Sequence, residues 1–216
     1  MHIMEGYLPL PHALAWSAVG LGILGWSLRQ LRHKIQTEPE AFMLIGAAAG
    51  YCFVLSSLKI PSVLGSSSHP TGIALGTLLL GAAAMVPIGF LVLLFQAMLL
   101  AHGGLTTLGA NLFSLSLLGA GAAVLGQKTI RNLGLACYWQ GFGAALLSSL
   151  ATYVGTSLQL GFAFSGGPMH WFESSAQFLW VYGPTQVPLA ILEGLLTGAV
   201  FKYMIESKRV PERVLR

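Results

Sequence analysis

The sequence predicts an all-α membrane protein: a polytopic bundle of about seven transmembrane helices forming a single integral membrane domain over residues 1–216. Three observations carry this. Hydrophobic residues make up 55% of the 216 residues and charged residues only 8%, against roughly 25% charged in soluble domains, so most of the surface must face lipid. Long apolar runs recur along the whole chain, separated by short polar breaks. Lys and Arg collect in alternate breaks, as expected when only one side of a membrane retains them.

The chain opens with MHIMEGYLP. No basic stretch precedes an apolar core here, so residues 1–8 are expected to be a loop and not a signal peptide. The first span is expected over 9–28, starting behind two prolines with His12 in its first turn, and the second over 41–58. The third (72–85) and fourth (87–101) are short and are split only by AMVP, which suggests a tight helical hairpin or one re-entrant unit. The fifth is expected over 111–126. The sixth (133–163) exceeds what a bilayer needs, so its end should project or bend, and the seventh covers 178–204. Gly and Ala are abundant in LIGAAAG, LLGAGAAVLG and QGFGAALL, where small residues let helix backbones approach closely. Cys52 and Cys137 lie inside apolar runs and read as small buried hydrophobes with neither disulfide nor metal spacing. No soluble domain, low-complexity linker or clear repeat is visible.

Charge sets the orientation. An outside N-terminus makes 29–40, the third-to-fourth turn, 127–132 and the tail the inner segments. They hold Arg29, Arg32, Lys34, Lys128, Arg131, Lys202, Lys208, Arg209, Arg213 and Arg216, leaving Lys59 as the outer cation. The expected topology is N-terminus outside and C-terminus cytoplasmic, with a basic tail over 205–216. Basic residues scattered between apolar runs do not form a nucleic-acid surface.

The histidines sort the other way. His33 falls in the basic inner loop, whereas His2, His69, His102 and His170 fall on the outer side. GSSSHPTG and AHGGLTTLGAN are poor membrane-spanning helices. Irregular backbone at membrane depth is tolerated only where protein buries it or a cavity solvates it, so these loops and the N-terminus can fold into the mouth of the bundle. A histidine at position 2 also has a specific chemistry. The Met1 amine, the His2 amide nitrogen and His2 Nδ1 can reach one metal in fused chelate rings, and a second imidazole can fill the remaining corner of the plane. An all-nitrogen set suits Co, Ni or Cu and not Mg²⁺ or Ca²⁺. Histidine is large for methionine removal, so Met1 is expected to stay. The alternative is that His2 is an incidental exposed residue.

Four stretches, MHIMEGYLP, LKIPSVLGSSSHPTG, LLFQAMLLAHGGLTTLGAN and TQVPLAILEGLL, together resemble the CbiM/NikM family of substrate-binding membrane subunits of energy-coupling-factor importers for cobalt and nickel. The resemblance runs over almost the whole chain. It implies a seven-helix bundle with the N-terminal loop in its outer opening, and a metal held by the Met1 amine, the amide and imidazole of His2, and the imidazole of His69. By the same comparison Ser67 and Ser68 orient the His69 loop. His102, Asn111, Thr106 and Thr107 brace the N-terminus or simply cap their loop. Glu193 is an acid inside the last span, and intramembrane acids are functional candidates; it is expected to bond the N-terminal loop or to serve packing. Glu5 is expected to pin the N-terminal segment, with His12 a further candidate near the metal. Residues 3–6 and the SHPTG loop look like the cobalt branch, so the implied cargo is Co²⁺ for cobalamin synthesis; nickel members share the ligand set. The implied partners are a CbiQ-like transmembrane coupling subunit, CbiO-like ATPase subunits and a small CbiN-like membrane subunit, in the cell membrane of a bacterium or archaeon.

Other classes fit less well. No GxxxxGK[ST] loop is present, so ATP hydrolysis is expected on partner subunits. An intramembrane hydrolase using a histidine, Glu193 and the serine-rich loop lacks both G-x-S-x-G and HExxH. A membrane sensor would need a signalling domain, and the tail is too short for one.

Overall fold

A computed structural model describes residues 1–61, 66–167 and 169–207. Most of the expected basic tail, with Lys208, Arg209, Arg213 and Arg216, lies outside the described residues. The elements run β1 (His2–Ile3), α1 (Leu10–Thr37), α2 (Ala41–Ser57), β2 (Ile60–Pro61), β3 (Ser66–Ser68), α3 (Ile73–Leu80), α4 (Ala82–Leu100), α5 (Leu108–Asn132), α6 (Cys137–Phe164) and α7 (Trp171–Glu206). Within α5, residues Phe113–Leu118 form a π-helical stretch.

Helices extend past the apolar runs that announced them. α1 continues through Arg29, Arg32 and Lys34, which were expected in a loop, because LRQLRHKIQ consists largely of competent helix formers. It stops at Thr37, just before Glu38-Pro39, where proline disfavours the helical region for the preceding residue. Likewise 127–132 is the last part of α5, ended beyond by Gly134 at φ 71°. α7 begins at Trp171 and not near 178. The break between α3 and α4 falls at Gly81, not at AMVP. Gly81 takes φ 91° and ψ 155° while its N–H closes α3 on the Thr77 carbonyl, and Pro87 is carried inside α4.

Among the described residues three helices, α4, α5 and α7, are long and apolar enough to cross a membrane, and α2 is apolar but shorter at 17 residues. α1 and α6 have 28 residues each, about 42 Å of helix, but are more polar. α6 buries Ser148, Ser149, Thr152, Thr156, Ser157 and Gln159. Large apolar side chains such as Phe42, Leu99, Phe172 and Trp180 face outward, the inverse of a water-soluble surface.

Small residues set the closest approaches. A Cβ at Gly141 of α6 would stand 3.0 Å from the Gly198 Cα of α7, and one at Gly20 of α1 would stand 3.0 Å from the Gly109 Cα of α5. The apolar interior has two parts. One is centred on α2–α5. The other gathers Met1, Ile3, Leu8, Ala13, Ala110, Tyr153, Leu160, Phe178 and Tyr182, so the first residues of the chain plug one end of the bundle.

The chain is helical as expected apart from one small sheet, which lies at that plug. β1 pairs antiparallel with β3 (His2 opposite Ser67, Ile3 opposite Ser66), and β2 pairs with the other edge of β3 (Ile60 opposite Ser68). This small sheet joins the N-terminus to the segment that leads into His69.

Candidate metal centre

The N-terminal strap, residues 1–8, is fastened at two depths. Deep in the bundle, Asn111 of α5 brackets the backbone of Ile3: its Oδ1 accepts the Ile3 N–H at 2.8 Å and its Nδ2 donates to the Ile3 carbonyl at 3.0 Å. Thr107 donates to the same carbonyl at 2.9 Å. At the rim, the Thr106 hydroxyl and N–H donate to the Glu5 carboxylate at 2.5 and 3.2 Å, and Glu5 N–H reaches the Gly103 carbonyl at 3.2 Å. These bonds hold the Glu5 carboxyl below the usual carboxylate range, the Thr106 hydroxyl foremost. Gly104 lets the two backbones meet, since a Cβ there would stand 2.5 Å from the Glu5 Cα.

Strap, β3 and the 101–107 loop bring three imidazoles together. His2, His69 and His102 are 0%, 0% and 2% exposed. A choice of one ring nitrogen from each places all three within 4.8 Å of one another. The His2 and His69 rings stack with centroids 4.4 Å apart, and His102 stands edge-on to both. His102 is aimed inward by Ala101, which adopts φ 46° at the end of α4, a left-handed position usually taken by glycine. Strain of that kind persists where the surroundings enforce it.

The hydrogen bonds assign the lone pairs. His69 Nδ1 lies 2.9 Å from the Pro70 carbonyl. A carbonyl only accepts, so Nδ1 carries the proton and Nε2 carries a lone pair; that Nε2 is buried without a partner. His102 Nε2 lies 2.7 Å from the Ser67 hydroxyl and 3.1 Å from His2 Nδ1.

Electrostatics keeps the donors uncharged. Burial lowers the Met1 amine from 8.0 to about 5, partly opposed by the Glu193 carboxylate. Burial also lowers His102 to about 3, helped by the charge of the Met1 amine and of Lys59. His2 and His69 are held well below 6.5, again by burial first. Near neutral pH the cluster therefore offers an amine and imidazoles with free electron pairs, the state a transition metal requires.

Not every candidate joins this cluster. His12 sits half-buried in the first turn of α1, outside the group of three. His170 stays at the surface beside Glu173. Ser67 bonds His102 and not the His69 ring, and Ser68 bonds Thr185 of α7 at 2.9 Å. Glu193 was expected to bond the N-terminal loop; its bonds run instead to the loop after His69. It accepts the N–H groups of Thr71 and Gly72 at 2.9 and 2.7 Å and the Thr71 hydroxyl at 2.7 Å. The reason lies in the start of α3, which leaves N–H groups without helical partners, and α7 presents an acceptor there.

The family model for the cobalt uptake substrate-specific transmembrane region, CbiM, matches residues 2–211. The cobalt transport protein CbiM 2 of Pelobacter propionicus is 49% identical over 209 residues, covering 97% of this chain and 92% of its own length. The chain belongs to the CbiM family. The cobalt transport protein CbiM of Moorella thermoacetica is also 49% identical, over 204 residues that cover 94% of this chain and 79% of that relative. A crystal structure of a truncated transition metal transporter superposes with a TM-score of 0.76 at 22% identity, covering 96% of this chain and 99% of that one, so the fold is shared. This CbiM-family chain is a metal-uptake membrane protein.

Residues that sequence reasoning missed are Thr71, Gly72 and Thr185, which tie the His69 loop to α7, and Ala101, which aims His102. Thr71 and Gly72 stood in the SHPTG stretch. Nothing in an apolar run singled out Ala101.

Proposed function

We propose that this chain is the substrate-binding membrane subunit of an energy-coupling-factor importer. It takes divalent cobalt at the outer face for ATP-driven uptake that supplies cobalamin synthesis. The observation that carries the reading is the buried convergence of His2, His69 and His102 beside a Met1 amine kept uncharged by burial. In this reading four nitrogens hold the metal: the Met1 amine, the His2 amide, His2 Nδ1 and His69 Nε2. The lone pair left on His69 Nε2 supports its role. Ser67, Ser68, His102, Thr106, Thr107, Asn111 and Glu193 position those donors without binding the metal. As the cargo enters, His2 Nδ1 exchanges its contact with His102 Nε2 for the metal, and Ser67 remains to hold His102.

The proposed bundle crosses the cell membrane seven times, with the N-terminus outside and the basic tail inside. ATP hydrolysis belongs to CbiO-like partners, coupled through a CbiQ-like membrane subunit and accompanied by a CbiN-like one. The cobalt names of the relatives support cobalt as cargo. An all-nitrogen site also suits nickel, which such sites bind more tightly than cobalt by raw affinity, so the metal is decided by element analysis of the purified chain after exposure to a Co, Ni, Cu and Zn mixture.

The chelate has its own test. An alanine inserted between Met1 and His2 separates the amine and imidazole from their shared amide ring. Metal content should collapse while membrane insertion persists, and unchanged binding would sink the reading. Intact-mass measurement checks that Met1 is a free terminus.

A further inference from the structure

The end of the bundle away from the strap has a chemistry of its own. Along α5, Arg131 stands about 30 Å from Asn111 at helical rise, the thickness of a bilayer's hydrocarbon core. The turn from α3 to α4 lies at this end, in a basin of two adjoining cavities of about 270 and 380 Å³. Lys34 of α1 lines both, as do Leu80 and Gly81 of the turn. Thr77 of α3 and Gln127 and Arg131 of α5 also line the smaller cavity. The larger is also lined by His33, Glu38 and the first turn of α4 at Ala82–Ala84.

Charge and unmet donors both favour an anion here. Lys34 and Arg131 reach the turn from different helices, and Glu38 is the one acid among the described lining residues. α3 ends in the basin and α4 begins in it, so their end charges, about −0.5 and +0.5, offset one another. The side chains leave a balance of about +1 with His33 neutral. No described side chain caps α4 and no acid lies in its first turn, so the leading N–H groups of this 19-residue helix open into the larger cavity without helical acceptors. Thr77 is 4% exposed, and its hydroxyl has no hydrogen-bond partner among the described residues, a costly state for a buried donor. Lys34, Glu38 and Arg131 also interact with other groups of the chain, so a ligand shares them. A phosphate group brings acceptor oxygens to all these donors at once. At a membrane interface its abundant carrier is the phospholipid headgroup, and basic pockets between helices select anionic lipids. Trp26 of α1 and Leu125 of α5, 54% and 65% exposed, lie about two turns toward the bilayer centre, where acyl chains run. We propose that the basin around the α3–α4 turn binds the phosphate headgroup of an anionic phospholipid through Lys34, Arg131, Thr77 and the start of α4. The lipid clamps the turn of a helical hairpin whose other ends carry His69 and His102.

The test uses the full-length chain in nanodiscs of equimolar phosphatidylcholine and phosphatidylglycerol, released into native mass spectrometry to count retained lipids. The parent should keep phosphatidylglycerol in preference to phosphatidylcholine. Lys34→Gln and Arg131→Gln should each weaken that retention roughly 5-fold or more, the share of one interfacial cation, and Thr77→Val should weaken it less. Lys34→Arg, which keeps the charge, should stay close to the parent. So should Arg29→Gln and Lys128→Gln, which remove cations of the same helices from outside the basin. Arg131 is exposed at the end of α5 and carries the test if Lys34→Gln does not fold. Equal retention of the two lipids by the parent would overturn the proposal. Losses in Arg29→Gln and Lys128→Gln as large as those in the basin variants would also overturn it, by showing diffuse attraction to a basic face. Parent-like retention in both Lys34→Gln and Arg131→Gln would leave these residues only as caps for the last carbonyls of α3. A titration with inorganic phosphate separates the two sources of the headgroup's chemistry: displacement of the lipid by free phosphate at millimolar concentration would make the basin a site for a soluble anion and refute the lipid.

Discussion

Replacing Asn111 by leucine keeps its bulk and removes the bracket around Ile3. The side chain makes one bond to the Ile3 N–H, one to the Ile3 carbonyl and one to the Thr107 hydroxyl. Thr107 still serves the Ile3 carbonyl in the variant, so that group keeps a partner. The Ile3 N–H does not, and Ile3 is 0% exposed. An unsatisfied buried donor costs about 1–3 kcal/mol and a lost neutral bond about 0.5–1.5 kcal/mol, giving roughly 2–4 kcal/mol against the seated strap. If metal binds only to the seated strap, apparent affinity drops by the fraction that leaves it, up to on the order of 30- to 1000-fold. The assay pairs metal titration with amide exchange of residues 1–8. The expected outcome is weaker binding together with faster exchange confined to the strap and the 101–107 loop. Thr106→Val serves as the comparison, because its bonds to Glu5 lie at the exposed rim and should matter much less. Parent-like affinity and strap protection in Asn111→Leu would show that the bracket does not hold the N-terminus in place.

The remaining expectations concern ligands, protons and space. His2→Ala and His69→Ala should abolish detectable binding, whereas His102→Ala should leave weak binding, since groups that orient ligands typically contribute ~10–100-fold; titration of the three gives the order. In the metal-free chain the amine is lowered from 8.0 to about 5 and the three imidazoles below 6.5. An open strap then binds more protons than a closed one, so closure is fullest above about pH 8 and weakens as pH falls, by up to about 1.4 kcal/mol per pH unit per group. Strap exchange, corrected for its intrinsic pH dependence, should therefore rise between pH 8 and pH 5; a flat profile would contradict the buried, uncharged donors. Gly104→Ala places a Cβ 2.8 Å from the Glu5 nitrogen and should lift the strap and weaken metal binding, while Gly121→Ala, with open space around it, should leave titrations unchanged.

The sequence showed where chemistry sits far better than which groups meet. Histidines and Ser/Thr-rich loops stand out against an apolar background, and three of the four histidines expected on one side converge. His170 does not, because it lies at the exposed start of α7 with a solvated carboxylate for company. Glu193 was visible as an acid in a span, but its partners follow from the backbone turn at Gly72, φ 72°, and a hydropathy pattern carries no trace of that turn. Helix ends were misplaced because hydropathy reports the length that meets lipid, whereas α1 and α5 continue as polar helix beyond it. The pairing of His2 with Ser67 was illegible for a different reason: strands of two or three residues are too short to show any periodicity.

The same network that positions the donors also closes the door on them. Met1, His2, His69 and His102 are each at most 2% exposed, so a metal cannot reach them without displacing protein. The strap offers the natural route, because its fastenings are unequal. Its rim, Glu5 with Thr106 and Gly103, is in contact with solvent, where water can replace each bond at little net cost. Its inner bracket, Asn111 and Thr107 on Ile3, is buried, where a broken bond stays unsatisfied until the strap has left altogether. In the proposed reading the strap opens by fraying from the Glu5 end followed by the harder step at Ile3, and closes the other way, with Ile3 committing the strap and the rim completing the seal. Met1 and His2 lie beyond Ile3 on the buried side, so the step that seats Ile3 is also the step that delivers the amine and the first imidazole to His69. If Met1 and His2 form the proposed chelate, it needs no separate gate: the ligand and the lid are the same segment.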